Sequence, residues 1–156
     1  MSMDFVRLAV ILSHPLAALL LIWLFFRQKA WRGESSLMRG GERKASLVEH
    51  ESMGDRIAIA SVTIVGLAFA SNAARGIIDH GDATSHMVPG LHGATGLIGL
   101  SMMIYVWNLG RKTKSQKESG ERFARTKEVH GRISDVVGVL ALLHAFLGFL
   151  YLLSIL

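Results

Sequence analysis

Seven histidines stand in a chain that has no cysteine: His14, His50, His80, His86, His92, His130 and His144. Without thiols there are no disulfides, thiolate zinc sites, iron–sulfur clusters or cysteine nucleophile, so a metal must be held by His, Met or carboxylate. His80 and His86 fall with Asp79 and Asp82 in a short polar turn. There they read as solvated turn residues, with an outer metal site of hard-to-borderline ligands as the sharper alternative. The other five histidines lie within or at the edge of long apolar runs, where an ionisable group is costly, faces the interior of a bundle and marks a site.

The elements that position these side chains follow from the apolar runs. The chain has 156 residues, is 51% hydrophobic and carries a mean hydropathy of +0.39. That is too apolar for a soluble domain of this length and too short for two domains. Four stretches, 5–26, 57–78, 88–109 and 133–156, reach the roughly 30 Å of a hydrocarbon core at about 1.5 Å per residue. The expected fold is all-α: an integral membrane antiparallel four-helix bundle forming one domain over 1–156. The first span has no basic flank before it and no small-residue cleavage site after Phe26, so it reads as an anchor rather than a cleaved leader.

Charge sets the orientation. Of the 17 Lys and Arg, 15 lie in the two segments 27–56 and 111–132. By the positive-inside rule both segments face the cytoplasm or stroma, and both termini and the 79–87 turn face the periplasm or lumen. The net charge of +5 is then topology, and no nucleic-acid partner is expected. The segments Arg32 to Ser46 and Gly110 to Gly120 read as solvated linker or interfacial helix.

A short internal repeat pairs Gly41 to His50 with Gly120 to His130, and His14 with His92; His14 to His50 is 36 residues and His92 to His130 is 38. The bundle reads as a duplicated two-helix hairpin. In such a bundle the first and third helices are diagonal, as are the second and fourth. The histidines therefore sort into His50 with His130 at the inner level and His14 with His92 at the outer level. Neutral imidazoles from opposite helices are what bis-histidine haem ligation needs. A small residue follows each ligand by four positions, Ala18, Gly54, Gly96 and Ser134, and could leave room for a macrocycle on the same helical face. The third-span series Gly90, Gly93, Gly96 and Gly99 serves either that purpose or close helix packing.

Arg43, Arg56, Arg122, Arg125 and Arg132 near the inner pair suit either haem propionates or membrane anchoring. His144, 14 residues after His130 on nearly the same face, is the reserve ligand: the outer pair could also be His14 with His144 or His92 with His144.

These residues resemble two families. The plan of four core helices each giving one His is similar in architecture to the transmembrane cytochrome b561 type, which implies two b-type haems. His14-Pro15, His50 through Gly54, His92 to Gly96 to Leu97, and Ala124-Arg125 to His130 resemble an uncharacterised four-helix membrane family of cyanobacteria and plastids, along most of the chain but through scattered His, Gly and Arg. Where that resemblance implies an Asn soon after the fourth-span His, this chain carries Gly131 to Ser134. His144 stands where such proteins have an uncharged polar residue. Both differences bear on the hydrogen bonding around a cofactor.

The expected function is transmembrane electron transfer through haem b, two per chain, held by His14, His50, His92 and His130, with Arg56 and Arg132 as propionate partners. Whether this amounts to a transmembrane oxidoreductase is left open by the residues. The alternative is a pigment-binding or scaffolding subunit of a larger photosynthetic or respiratory complex, since one imidazole can ligate chlorophyll. Expected partners are membrane lipid and a redox protein or quinone, in a bacterial plasma membrane or thylakoid. Arg75 and Asp135 lie near interfaces and no central Pro pair breaks a helix, which disfavours a transporter. No nucleophile elbow or zincin helix points to hydrolysis.

Overall fold

The computed structural model describes the backbone from Ser2 to Leu156 and side chains from Phe5 onward. It contains four helices, α1 (Ser2–Glu34), α2 (Gly40–His80), α3 (Leu91–Glu118) and α4 (Ala124–Ile155), and no strand among the described residues. The helices outrun the apolar stretches. At about 1.5 Å per residue α2 is roughly 60 Å long, twice a hydrocarbon core. Much of the two basic segments is therefore helical, interrupted by the turns at 35–39 and 119–123. Their Ala, Glu, Lys, Arg and Gln are good helix formers, and of the two readings of these segments, linker and interfacial helix, the helical one holds for most of their length.

Three helices, α1, α2 and α4, are long and apolar enough to cross a membrane. α3 falls short of that apolarity because His92, Thr95, Ser101 and four glycines dilute its Leu, Ile and Met, and it begins at Leu91, after Pro89. The apolar side chains point outward. Among the described residues only Ile11, Phe25, Ile57, Ala58, Val106 and Val137 are buried apolar side chains, while Leu16, Leu19, Ile59, Val62, Val139, Leu142 and Phe146 are exposed. Water does not tolerate so much contiguous apolar surface on a monomer; lipid does. This is a membrane protein.

Each helix packs on two neighbours, α1 on α2, α2 on α3, α3 on α4 and α4 on α1, while α1 and α3, like α2 and α4, make no close backbone approach. Cross-helix bonds fix how they lie. Ser13 Oγ meets Ser71 Oγ at 3.0 Å and Trp31 donates to Ser46 at 2.6 Å, so α2 runs back along α1. Lys114 pairs with Glu51 at 2.9 Å and Trp107 donates to Asp55 at 2.6 Å. Lys29 pairs with Asp135 at 3.0 Å and Arg7 reaches the Ile155 carbonyl at 3.3 Å. All three tryptophans lie toward the basic end, and Arg27 and Arg111 lean over Trp23 and Trp107 at 5.6 and 5.1 Å, the amphipathic girdle of a membrane–water boundary.

At the other end, Gly81 at φ 70° caps α2, with its N–H on the Ile77 carbonyl and the Asp82 N–H on Gly76. Only a residue free of Cβ enters that left-handed cap cheaply. Asp82 then accepts from the Thr84 N–H and hydroxyl, both at 2.9 Å.

Candidate functional site

The outer histidine level is assembled from three helices. α1 supplies His14, one residue before the helix-interior Pro15; α3 supplies His92 at its first turn; α4 supplies His144 in its second half. One ligand nitrogen from each lies within 4.8 Å of the other two. The rings of His14 and His92 are 6.2 Å apart, edge to face, whereas those of His92 and His144 stack at 4.0 Å and 15°.

Hydrogen bonds settle which nitrogen is free. Thr95 Oγ1 donates its single proton to the His92 carbonyl at 2.8 Å. It can therefore only accept from His144 Nδ1, 3.2 Å away. His92 Nδ1 donates to the His144 carbonyl at 3.2 Å. Both rings thus carry the proton on Nδ1 and leave the Nε2 lone pair free, the orienting arrangement typical of metal-bound imidazole. His14 Nδ1 is buried with no partner.

Two imidazoles on opposite faces of one ion, each about 2.0–2.1 Å from it, hold their ring centres roughly 6 Å apart. The diagonal pair His14 and His92 meets that spacing. His92 with His144, the alternative pairing weighed from the sequence, does not: stacked rings aim their lone pairs side by side. The spacing of the diagonal pair therefore suits one ion shared between the two rings. His144 is a third imidazole beside it, so the same cluster also suits a single ion with three nitrogen ligands and one open position.

The inner level is built differently. His50 on α2 and His130 on α4 are both half-buried. His130 Nδ1 donates to the Val106 carbonyl at 3.0 Å, which again frees Nε2. His50 Nδ1 is buried without a partner; its ring stacks on Trp31 at 4.2 Å, and its carbonyl accepts from Gln28 Nε2 at 2.6 Å. Phe25, Val106 and Val137, with Phe26, Met102, Met103 and Ile133, form the apolar cluster. On α3, Met102 and Met103 fall between His92 and the carbonyl that meets His130, so apolar packing separates the two levels.

The glycines expected to make room for a macrocycle serve the imidazoles. A Cβ on Gly96 would stand 2.8 Å from His144 Cε1, and one on Gly148 would stand 2.7 Å from His92 Cε1. Gly54 faces only Gln28 at 3.8 Å, and Ser134 bonds back to the His130 carbonyl at 2.7 Å. The expected propionate partners are outward-facing: Arg56 is exposed, and Arg132 pairs with Glu128 at 2.6 Å with 77% of its side chain exposed.

Arg75, placed near an interface from the sequence, is instead buried. It donates to the Tyr151 hydroxyl at 2.6 Å and approaches Asp79 at 4.0 Å. Asp79 also pairs with Arg7 at 2.9 Å. Its carboxylate is engaged in those ion pairs, and among the described residues only His14, His92 and His144 close into a group able to hold a metal. Sequence reasoning missed Trp31, Gln28, Thr95 and Tyr151. Arg75, a lone cation in an apolar run, was the available signal for Tyr151.

Comparison with protein-family models, curated proteins and solved structures returns no match.

Proposed function

We propose that the chain is a transmembrane electron carrier: an antiparallel four-helix bundle of two repeated hairpins, with haem b held by His14 and His92 at one level and by His50 and His130 at the other. One observation carries the reading. Two helices with no close backbone approach among the described residues present imidazole rings 6.2 Å apart, a spacing that suits one ion shared between them. Haem supplies a one-electron couple; the chain supplies ligands, proton positions and dielectric. The carbonyls of His144 and Val106 and the hydroxyl of Thr95 fix the tautomers, and the apolar packing between levels excludes water. The basic segments face the cytoplasm or stroma, and the termini and the 81–90 turn face the periplasm or lumen, in a plasma membrane or thylakoid. Electrons enter from and leave to a redox protein or quinone.

The convergence of three imidazoles favours a second reading for the outer level, a bare transition-metal ion. A pyridine haemochrome assay with total metal analysis on the protein purified from membranes separates the readings. Two haems per chain are expected. One haem with one non-haem metal ion supports the second reading, and chlorin or no cofactor overturns both.

A further inference from the structure

In each level one proposed ligand is held by a hydrogen bond at Nδ1 and the other is not. His92, His130 and His144 each have Nδ1 hydrogen-bonded. His14 does not, nor does His50, whose Nδ1 is buried and unpartnered. Yet a ligand ring left free to rotate about its Cβ bond gives no fixed ligand plane. What lies against it is the indole of Trp31, 4.2 Å away and within 26° of parallel. The indole is itself pinned, because Nε1 donates to Ser46 Oγ at 2.6 Å. Ser46 stands four residues before His50, on the same face one turn away. Trp31 thus grips α2 at two points, while Gln28, three residues earlier on α1, holds the His50 carbonyl.

We infer that Trp31 is the positioning residue of the inner level, fixing the plane of the His50 imidazole and setting the potential of the group it ligates. The inference rests on the electron-carrier reading and deepens it. An indole face is electron-rich and favours an adjacent positive charge. Stacked on an iron-bound imidazole, it stabilises the oxidised state over the reduced one, so its removal raises the midpoint potential. The outer level repeats the plan with a different ring, His144 stacked on His92 at 4.0 Å.

The test uses the full-length protein carrying its haems, with Trp31→Leu, Trp31→Phe, Ser46→Ala and His50→Ala variants. The low-spin ferric resonance signal reports the ligand planes, and a redox titration reports each midpoint. Trp31→Leu is expected to broaden and shift the inner signal. It also moves the inner oxidised-to-reduced ratio at fixed poise by roughly tenfold toward the reduced form, about 59 mV for one electron, with the outer signal unchanged. Trp31→Phe keeps a stacked ring and is expected to restore most of the potential. Should Trp31→Leu fail to accumulate, Trp31→Phe and Ser46→Ala carry the test, each broadening the inner signal alone. Unchanged inner signal and potential in these variants, with His50→Ala losing one haem, overturns the role of Trp31. If His50→Ala retains both haems, the underlying reading fails instead.

Discussion

Gly148 lies against the His92 ring, and a methyl group there tests whether the outer level is as tightly built as the geometry states. In Gly148→Ala the added carbon would sit 2.7 Å from His92 Cε1, where ordinary contact begins at 3.4 Å. The ring must retreat by at least that difference. It cannot do so freely, because its Nδ1 is bonded to the His144 carbonyl and its other face stacks on His144. Overpacking of this kind costs about 1–3 kcal/mol, and loss of the hydrogen bond adds about 0.5–1.5 kcal/mol. Gly66→Ala is the control, since a Cβ there meets nothing within 4 Å and gains up to about 1 kcal/mol of helix propensity. Thermal unfolding in detergent should place Gly148→Ala below wild type by the sum of those costs and Gly66→Ala at or above it, and haem content should fall by the outer share in Gly148→Ala alone. Equal stability and cofactor content in the two variants would refute the tight packing of His92.

Tyr151→Phe strands a buried guanidinium that now donates to the phenol at 2.6 Å, and should cost about 1.5–3 kcal/mol, the worth of a hydrogen bond to a charged group, measured by the same melting assay. The Asp82 carboxyl is held below the usual range by the Thr84 N–H and then by the Thr84 hydroxyl. A group with a lowered folded value contributes stability above its ordinary value and loses it as pH falls through the lowered one. Melting temperature should therefore drop below about pH 4, and Asp82→Asn should lack that component of the drop. Because the chain has no cysteine, single Ser36→Cys, Ser119→Cys and Thr84→Cys variants report topology directly. An impermeant thiol reagent applied to intact cells should label only the Thr84 position, and labelling of Ser36 or Ser119 would reverse the orientation.

The apolar runs and the charge distribution made the four helices and the membrane setting legible, because both depend on composition over about 20 residues. His14 and His92 stand on α1 and α3, which make no close backbone approach among the described residues, as expected of the first and third of four helices joined by short turns. The ends of the helices were not legible. Residues 40–56 are helical although polar, and hydropathy is blind to helix propensity outside lipid. What holds the imidazoles was also hidden. Thr95 lies three residues from His92 and bonds to a ring on another helix, and Trp31 reaches His50 across 19 positions. Such contacts depend on the rotation of each helix about its axis, which a single sequence constrains weakly. The glycines misled for the same reason: Gly96 opens space, but for a histidine of the neighbouring helix.

Passage of electrons from one membrane face to the other is the claim on which the account turns. Reconstituted vesicles loaded with ferricyanide and supplied externally with dithionite measure it directly. The account predicts protein-dependent reduction of the trapped ferricyanide that is lost in His14→Ala and in His50→Ala, each of which breaks one level of the path. Rates equal to those of protein-free vesicles, or unaffected by either substitution, would contradict it.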